Sequence, residues 1–269
     1  MNIVIRQEQT IDYRIVEELT REAFWGAMEQ ETCDGEHLLV HKLRSLPSFV
    51  PELDFVAEVG GEIVGHVIYS KATIVMADDR EVEVLNFGPL SVLPKHKGKG
   101  VGSTLMRHSI AEAKRLGYQA IVFYGHPDFY PRFGFSRARV FGITSATGKS
   151  LDALMAMPLQ DGALDGICGR YFEDAVYTID SEEAVEFDKS FPPKASVALT
   201  TVESVSARLT PPMLVALALN QVKYVQQMQR LSGAEVLQWE GVGECDVLQL
   251  NTLLEELKQP IKRISVMQA

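Results

Sequence analysis

The chain has 269 residues, of which 46% are hydrophobic and 23% charged; such figures fit a folded globular protein and exclude a disordered tail or a collagen-like fibre. That length suits one large domain, or one domain with an extension. Twenty-six basic residues against thirty-six acidic ones leave a formal charge of −10, which argues against a general nucleic-acid binder and leans toward a cationic small molecule or peptide amine as partner.

In chain order, residues 2–6 alternate and are rich in Ile and Val, so they read as a strand. Residues 11–28 carry Ile15, Val16, Leu19, Ala23 and Phe24 at helical spacing, with Asp12 placed to cap the start. A second short helix spans 36–46, with Leu38, Leu39 and Leu43 on one side and Pro47 closing it. Residues 54–59 and 62–74 are β-rich and flank Gly60-Gly61, a hairpin signal. Residues 81–92 form another strand that must be distorted or splayed at Gly88-Pro89, because proline cannot donate to a ladder. A clear amphipathic helix covers 102–116 and stops at Gly117; a short apolar strand follows at 119–124, then a helical turn at 128–132. Strand character returns at 154–157 and 169–172. Phe191-Pro192-Pro193-Lys194 marks a boundary, beyond which 210–231, 234–239 and 246–257 read as helices. The pattern predicts an α/β domain over 1–190 and a helical extension over 195–269. No apolar run approaches the roughly 18–20 residues of a membrane span, and the N-terminus reads as a strand, not a signal peptide. Cys33, Cys168 and Cys245 are scattered and form no CxxC pair, as expected of a reduced, cytoplasmic protein.

The informative stretch runs from Leu90 to Phe135. Glycines 98, 100 and 102 free the backbone to turn, and the helix that starts there adds its positive end. Lys97 and Lys99 strengthen what is already an anion site, suited to a pyrophosphate. The dinucleotide fingerprint does not fit, since the third glycine arrives one place early. Gly148-Lys149-Ser150 is not a Walker loop either, because Ile143 stands where that motif needs glycine.

The motifs Gly88-Pro89-Leu90-Ser91-Val92-Leu93-Pro94, Gly98-Lys99-Gly100-Val101-Gly102 and Gly125-His126-Pro127 through Tyr130-Pro131-Arg132-Phe133-Gly134-Phe135 follow one another on strand, helix and strand. In this the sequence resembles the GCN5-related N-acetyltransferase (GNAT) family, most of all its small bacterial members of the YhbS type. The resemblance covers about residues 3–145, extends toward 194 and says nothing of 195–269. It implies an α+β fold: a mixed, twisted sheet with splayed central strands flanked by helices. It further implies acetyl-CoA as the donor cosubstrate. The pantetheine arm would pair with the backbone of Leu90, Ser91 and Val92, and the pyrophosphate would sit on Gly98, Lys99, Gly100, Val101, Gly102 and Ser103. Lys97 stands where the family usually has Gln or Arg, which keeps the charge and loses the guanidinium fork. Tyr130 matches the family tyrosine that protonates the leaving thiolate, and a packed aromatic is the alternative reading. A primary amine, on a small molecule or a peptide, would attack the thioester directly; a non-catalytic acyl-CoA-binding protein on the same fold is the other reading.

An ammonium acceptor needs a base. Glu36 is the first candidate, because the family architecture sets its helix beside the acceptor cleft; His37, Glu81, Glu83 and His126 are the others. His37 and His41 share a helix face at zinc-like spacing, but no third ligand is evident and no metal is expected. In the extension, Met213, Leu214, Leu217, Val222 and Val225 form one apolar stripe, and Leu248, Leu250, Leu253, Leu254 and Leu257 another. Both read as core, packed within the chain or across a homodimer.

Overall fold

A computed structural model describes residues 1–26, 33, 35–195, 200–228, 231 and 233–257. The chain divides into two compact units; the first takes the described residues up to Ala195, and the second follows it.

In the first unit, β1 (Val4–Gln7) leads into α1 (Tyr13–Phe24) and α2 (Glu36–Leu43). Then come β2 (Phe55–Val59), β3 (Glu62–Met76) and β4 (Glu81–Val92), followed by α3 (Val101–Arg115) and β5 (Ala120–Tyr124). Four short strands follow: β6 (Ser136–Arg137), β7 (Ile143–Thr144), β8 (Leu154–Pro158) and β9 (Gly169–Phe172), then α4 (Ser181–Asp188). The sheet runs β1-β2-β3-β4-β5-β8-β6, with β9 pairing both β3 and β7. All pairs are antiparallel except β4 with β5 and β7 with β9. Alternation along the strands divides the core between the two faces of the sheet. Tyr69, Leu85, Phe87, Ile121 and Phe123 join Val101 and Leu105 of α3. Val84, Ala120, Val122, Leu154, Ala156 and Tyr171 gather in a second cluster. Val16, Leu19, Val40 and Leu43 of α1 and α2 pack on Val56 and Ile68.

Helix α1 ends at Phe24, and the last two positions of the predicted 11–28 helix lie outside the described residues. Asp12 precedes α1 without capping it. Its carboxylate instead accepts from the Gln9 amide at 2.8 Å and from Arg6 at 2.6 Å. Helix α2 stops at Leu43, three residues short of the predicted end. Two charged links fasten these helices. Arg44 donates to both Glu8 oxygens, at 2.6 and 2.9 Å, and Arg21 takes both Asp188 oxygens at 2.6 and 2.8 Å.

His37, 1% exposed on α2, lies 3.2 Å from Asp188. Burial lowers its pKa to about 4, so it is neutral in the folded protein when an unfolded chain, at about 6.5, already takes up a proton. Stability at this position is therefore complete above pH 6.5 and is lost as the pH falls toward 4, by about 2 kcal/mol at pH 5 and about 3 kcal/mol at pH 4. Thermal melts at pH 7 and pH 5 should show a larger drop for the native protein than for His37→Gln; equal drops would remove His37 from the acid response.

The second unit has helices α5 (Pro211–Leu219), α6 (Val225–Met228), α7 (Gly233–Val236) and α8 (Glu244–Leu257). The single helix predicted over 210–231 is broken. Gln221 adopts φ 57°, and the amides of Gln221 and Val222 return to Ala218 and Leu217 at 3.1 and 2.9 Å, which closes α5 in a Schellman-type cap. The apolar stripe still serves the core: Met213, Leu217 and Val225 pack with Leu250, Leu253 and Leu254. Leu248, counted in the second stripe, is 68% exposed. No described helix is long and apolar enough to cross a membrane.

Candidate active site

Strands β4 and β5 lie side by side but share one paired position, Leu85 with Ile121. Beyond it they part. On its other side β4 follows β3 to Gly65–Val92, with the register slipping between Val67 and Tyr69 because β4 has one residue more. The extra residue falls at Gly88-Pro89, whose peptide bond is cis. Proline lacks the N–H that an unbroken ladder needs, so the strand bulges there. Residues 86–92 of β4 therefore have no strand partner on the β5 side among the described residues.

The glycine turn and α3 meet this opening. Gly100 sits at φ 88° just ahead of α3. Thr104 donates to Gly100 at 2.9 Å, the first bond of the helix, so the amides of Val101, Gly102 and Ser103 belong to the turn that has no acceptor behind it. A cleft of about 580 Å³ is bounded here by Leu90, Val92, Gly98, Gly100, Val101, Gly102 and Ser103, by Lys97 and His96, by Ala23 and Phe24 of α1, and by Phe129, Tyr130 and Arg132.

Tyr130 enters the cleft from the loop after β5. Its ring stacks edge-on against Phe123 at 4.6 Å and Phe129 at 5.0 Å between centroids. Gly125 makes this packing feasible: a Cβ there would lie 2.5 Å from the Tyr130 ring. Burial raises the phenol pKa to about 12, and its hydroxyl has no hydrogen-bond partner among the described residues. It is a protonated donor at any working pH.

Of the ten predicted cofactor-binding residues, eight line this cleft. Ser91 and Lys99 do not; the Ser91 hydroxyl faces away and donates to Thr20 at 3.0 Å. Lys97 lines it, yet its ammonium donates to the Ala23 carbonyl at 2.8 Å, at the end of α1, and desolvation lowers its pKa. Arg132 brings a further cation to the cleft, one that no spacing in the sequence singles out; its Nε donates to the Phe129 carbonyl at 2.8 Å.

The structure does not bring Glu36 to this cleft. Its carboxylate accepts from Cys33 at 3.3 Å, and Cys33 in turn lies 3.4 Å from His37. Glu81 and Glu83 are exposed before the splay, Glu83 paired with Lys71 at 3.1 Å. His126 is exposed beside Asp128. His37 and His41 have separate partners, Asp188 and Glu17. Among the described residues one group has metal-like spacing, Glu8, Asp54 and His66; there Arg44 already occupies both Glu8 oxygens.

Residues 52–137 match the model of the acetyltransferase (GNAT) domain. The chain carries a GNAT acetyltransferase domain. The match takes in β2 to β6 and with them α3, the glycine turn and Tyr130. Among curated proteins, the GNAT domain is similar to the uncharacterized N-acetyltransferase YjhQ of Escherichia coli K12, 35% identical over 97 residues, which is 36% of this chain and 53% of that protein. The chain thus spans about half the length of that relative. The uncharacterized N-acetyltransferase YhbS of the same strain is 28% identical over 167 residues, 62% of this chain and 93% of its own. The crystal structure of YhbS in complex with CoA superposes with a TM-score of 0.59 at 27% identity, covering 66% of this chain and 93% of that one. A GNAT acetyltransferase from Brucella melitensis, in complex with acetyl-CoA, gives a TM-score of 0.52 at 25% identity over 65% of this chain and 98% of its own.

Proposed function

We propose that this chain transfers the acetyl group of acetyl-CoA to a primary amine by direct attack on the thioester. One observation carries the reading: the partnerless edge of β4, the amides that open α3 and the Tyr130 hydroxyl face a single cleft. Each suits a different part of the donor. An extended chain of amides would pair with β4, a pyrophosphate would rest on the helix start, and the sulfur would lie at Tyr130. The CoA and acetyl-CoA complexes of the two structural relatives support the same donor. In the cleft Arg132 and the amides of residues 100–103 are the phosphate ligands, and Lys97 is a brace between the loop and α1.

The acceptor nitrogen adds to the thioester carbon, and an N–H of the β4 edge near Leu90–Val92 receives the oxyanion. Collapse breaks the C–S bond, and Tyr130 donates to the sulfur. A non-catalytic acyl-CoA-binding protein would share the cleft but has no use for an unpartnered donor beside the sulfur. We assign this chemistry to residues 1–190 and treat 195–269 as a separate helical module. The scattered thiols, free among the described residues, suit a reduced cytoplasmic setting.

Calorimetric titration tests the reading directly. Acetyl-CoA and CoA should bind saturably with one site per chain, and ATP should not. Failure of both CoA species to bind would overturn it.

A further inference from the structure

We propose that Glu173 is the carboxylate that takes the proton from the acceptor amine; this rests on the acetyltransfer reading above. The residue follows β9, and its side chain is held against the opening between β4 and β5. Asn86, the first β4 residue beyond the last β4–β5 pair, is buried and donates from Nδ2 to Glu173 Oε2 at 3.2 Å. By strand alternation Asn86 lies on the face of Val84, away from Leu85 and Phe87, which pack toward α3. Glu173 thus stands on the side of the sheet opposite the glycine turn, where an acceptor could approach the thioester without displacing the donor.

The groups around it suit a cationic head. Tyr177, in the turn after Glu173, donates to the Gly88 carbonyl at 3.4 Å and shares a 2.9 Å hydrogen bond with Ser70 of β3; this ties the Glu173 turn to the β4 bulge. Tyr124 ends β5 and packs its ring 5.8 Å from that of Tyr171 in β9. The carboxylate is felt electrostatically by all three phenols. The neighbouring Asp174 is engaged elsewhere, accepting from Ser48 at 2.6 Å and from the Val176 amide. Burial raises the Glu173 pKa to about 7, with the Asn86 hydrogen bond pulling the other way. A carboxylate of that strength is ionised enough at pH 7.5 to accept a proton and far more basic than an exposed glutamate.

The protons balance. An ammonium gives one proton to Glu173, and the freed lone pair forms the C–N bond. As the tetrahedral adduct collapses, the C–S bond breaks. The sulfur takes the Tyr130 proton, and the phenol is restored by the second proton shed from nitrogen. The third stays on the amide, and Glu173 releases its own to water.

The test measures CoA release from acetyl-CoA by the native protein and Glu173→Gln between pH 6 and 9.5. The acceptors are 1,4-diaminobutane, spermidine, lysine amide and a dipeptide amide with a free amino end. Thermal melting and acetyl-CoA calorimetry run alongside, and both should match in the two proteins. With a turned-over amine, Glu173→Gln should lose at least tenfold in kcat/KM at pH 7. The deficit should shrink as the pH rises, because the variant depends on amine already neutral in solution. Loss of less than twofold at pH 7, or an equal loss at every pH, overturns the assignment. If no amine is turned over, binding of the same amines to the acetyl-CoA complex is read instead. Tenfold weaker binding by the variant supports the proposal; equal binding, or no binding by the native protein, overturns it. A native protein that fails to bind acetyl-CoA sinks the acetyltransfer reading first, and this assignment with it.

Discussion

Tyr130→Phe should lower kcat by about 100-fold or more and leave the acetyl-CoA Kd within about twofold. The asymmetry comes from what the residue touches. Its ring is fixed by Phe123, Phe129 and, at 5.6 Å, Phe87, contacts that phenylalanine keeps. Its hydroxyl has no protein partner among the described residues, so removing it leaves no orphaned group and costs the fold little. Only the departing sulfur loses something. A thiol has a pKa near 8.5, whereas the Tyr130 phenol is held at about 12. Proton transfer to the thiolate alone is therefore uphill. It becomes favourable when the nitrogen of the adduct, a stronger acid, supplies the replacement, so the role proposed for Tyr130 is that of a relay between nitrogen and sulfur. Steady-state kinetics with a working acceptor, together with calorimetry, would decide. Unchanged kcat would reduce Tyr130 to a packing residue, and a matching loss of donor affinity would make it a binding one.

Gly100→Leu should weaken acetyl-CoA by about 100-fold, close to 2.7 kcal/mol. Gly100 stands at φ 88°, and a Cβ added there meets no protein atom within 4 Å. A side chain would thus project into open space at the start of α3, where the proposed pyrophosphate lies. The positive φ adds a strain of about 1–2 kcal/mol for any residue with a Cβ, so lost binding alone could be blamed on folding. The same helix supplies the control. Gly117 closes α3 with φ 88° and equally open surroundings, its own amide returning to Lys114 and that of Tyr118 to Ala113. Gly117→Leu should cost similar stability and leave the donor site alone. Melting temperatures lowered alike, with binding lost in Gly100→Leu alone, is the expected pair of results. Intact binding in Gly100→Leu would mean the phosphates lie elsewhere.

Much of the candidate donor cleft is legible in residue order because it is local. Strand, glycine turn, helix and the Tyr130 motif are each written in a few consecutive residues, and the helix α3 appears within one residue of its predicted ends at 102–116. What residue order could not supply was pairing at a distance. Glu173 carries no motif; it matters because β9 pairs with β3 and brings it to Asn86, 87 positions away. Glu36 was the reverse case, a carboxylate favoured by its helix whose side chain the fold turns toward Cys33. Residue order marks Lys97 as a cation that strengthens the anion site, yet the carbonyl its ammonium meets belongs to Ala23, 74 positions earlier. In the second unit, helical spacing persisted through Gln221, and only the backbone reversal there reveals that one helix is two.

The single shared position between β4 and β5 has a consequence for how such a site can change over time. A cleft built from side chains is rewritten whenever one of them is replaced. Here the row facing the gap is main chain, and every residue but proline brings the same donor and acceptor to it. Leu90 and Val92 could therefore drift among apolar types, and Ser91 among small ones, while the hydrogen-bonding row stays as it was. Selection would act instead on the few positions that create the gap or the turn: the proline at 89, the glycine at 100. A chain of this design can diverge nearly everywhere else, to 28% identity with YhbS, while its main-chain row is kept.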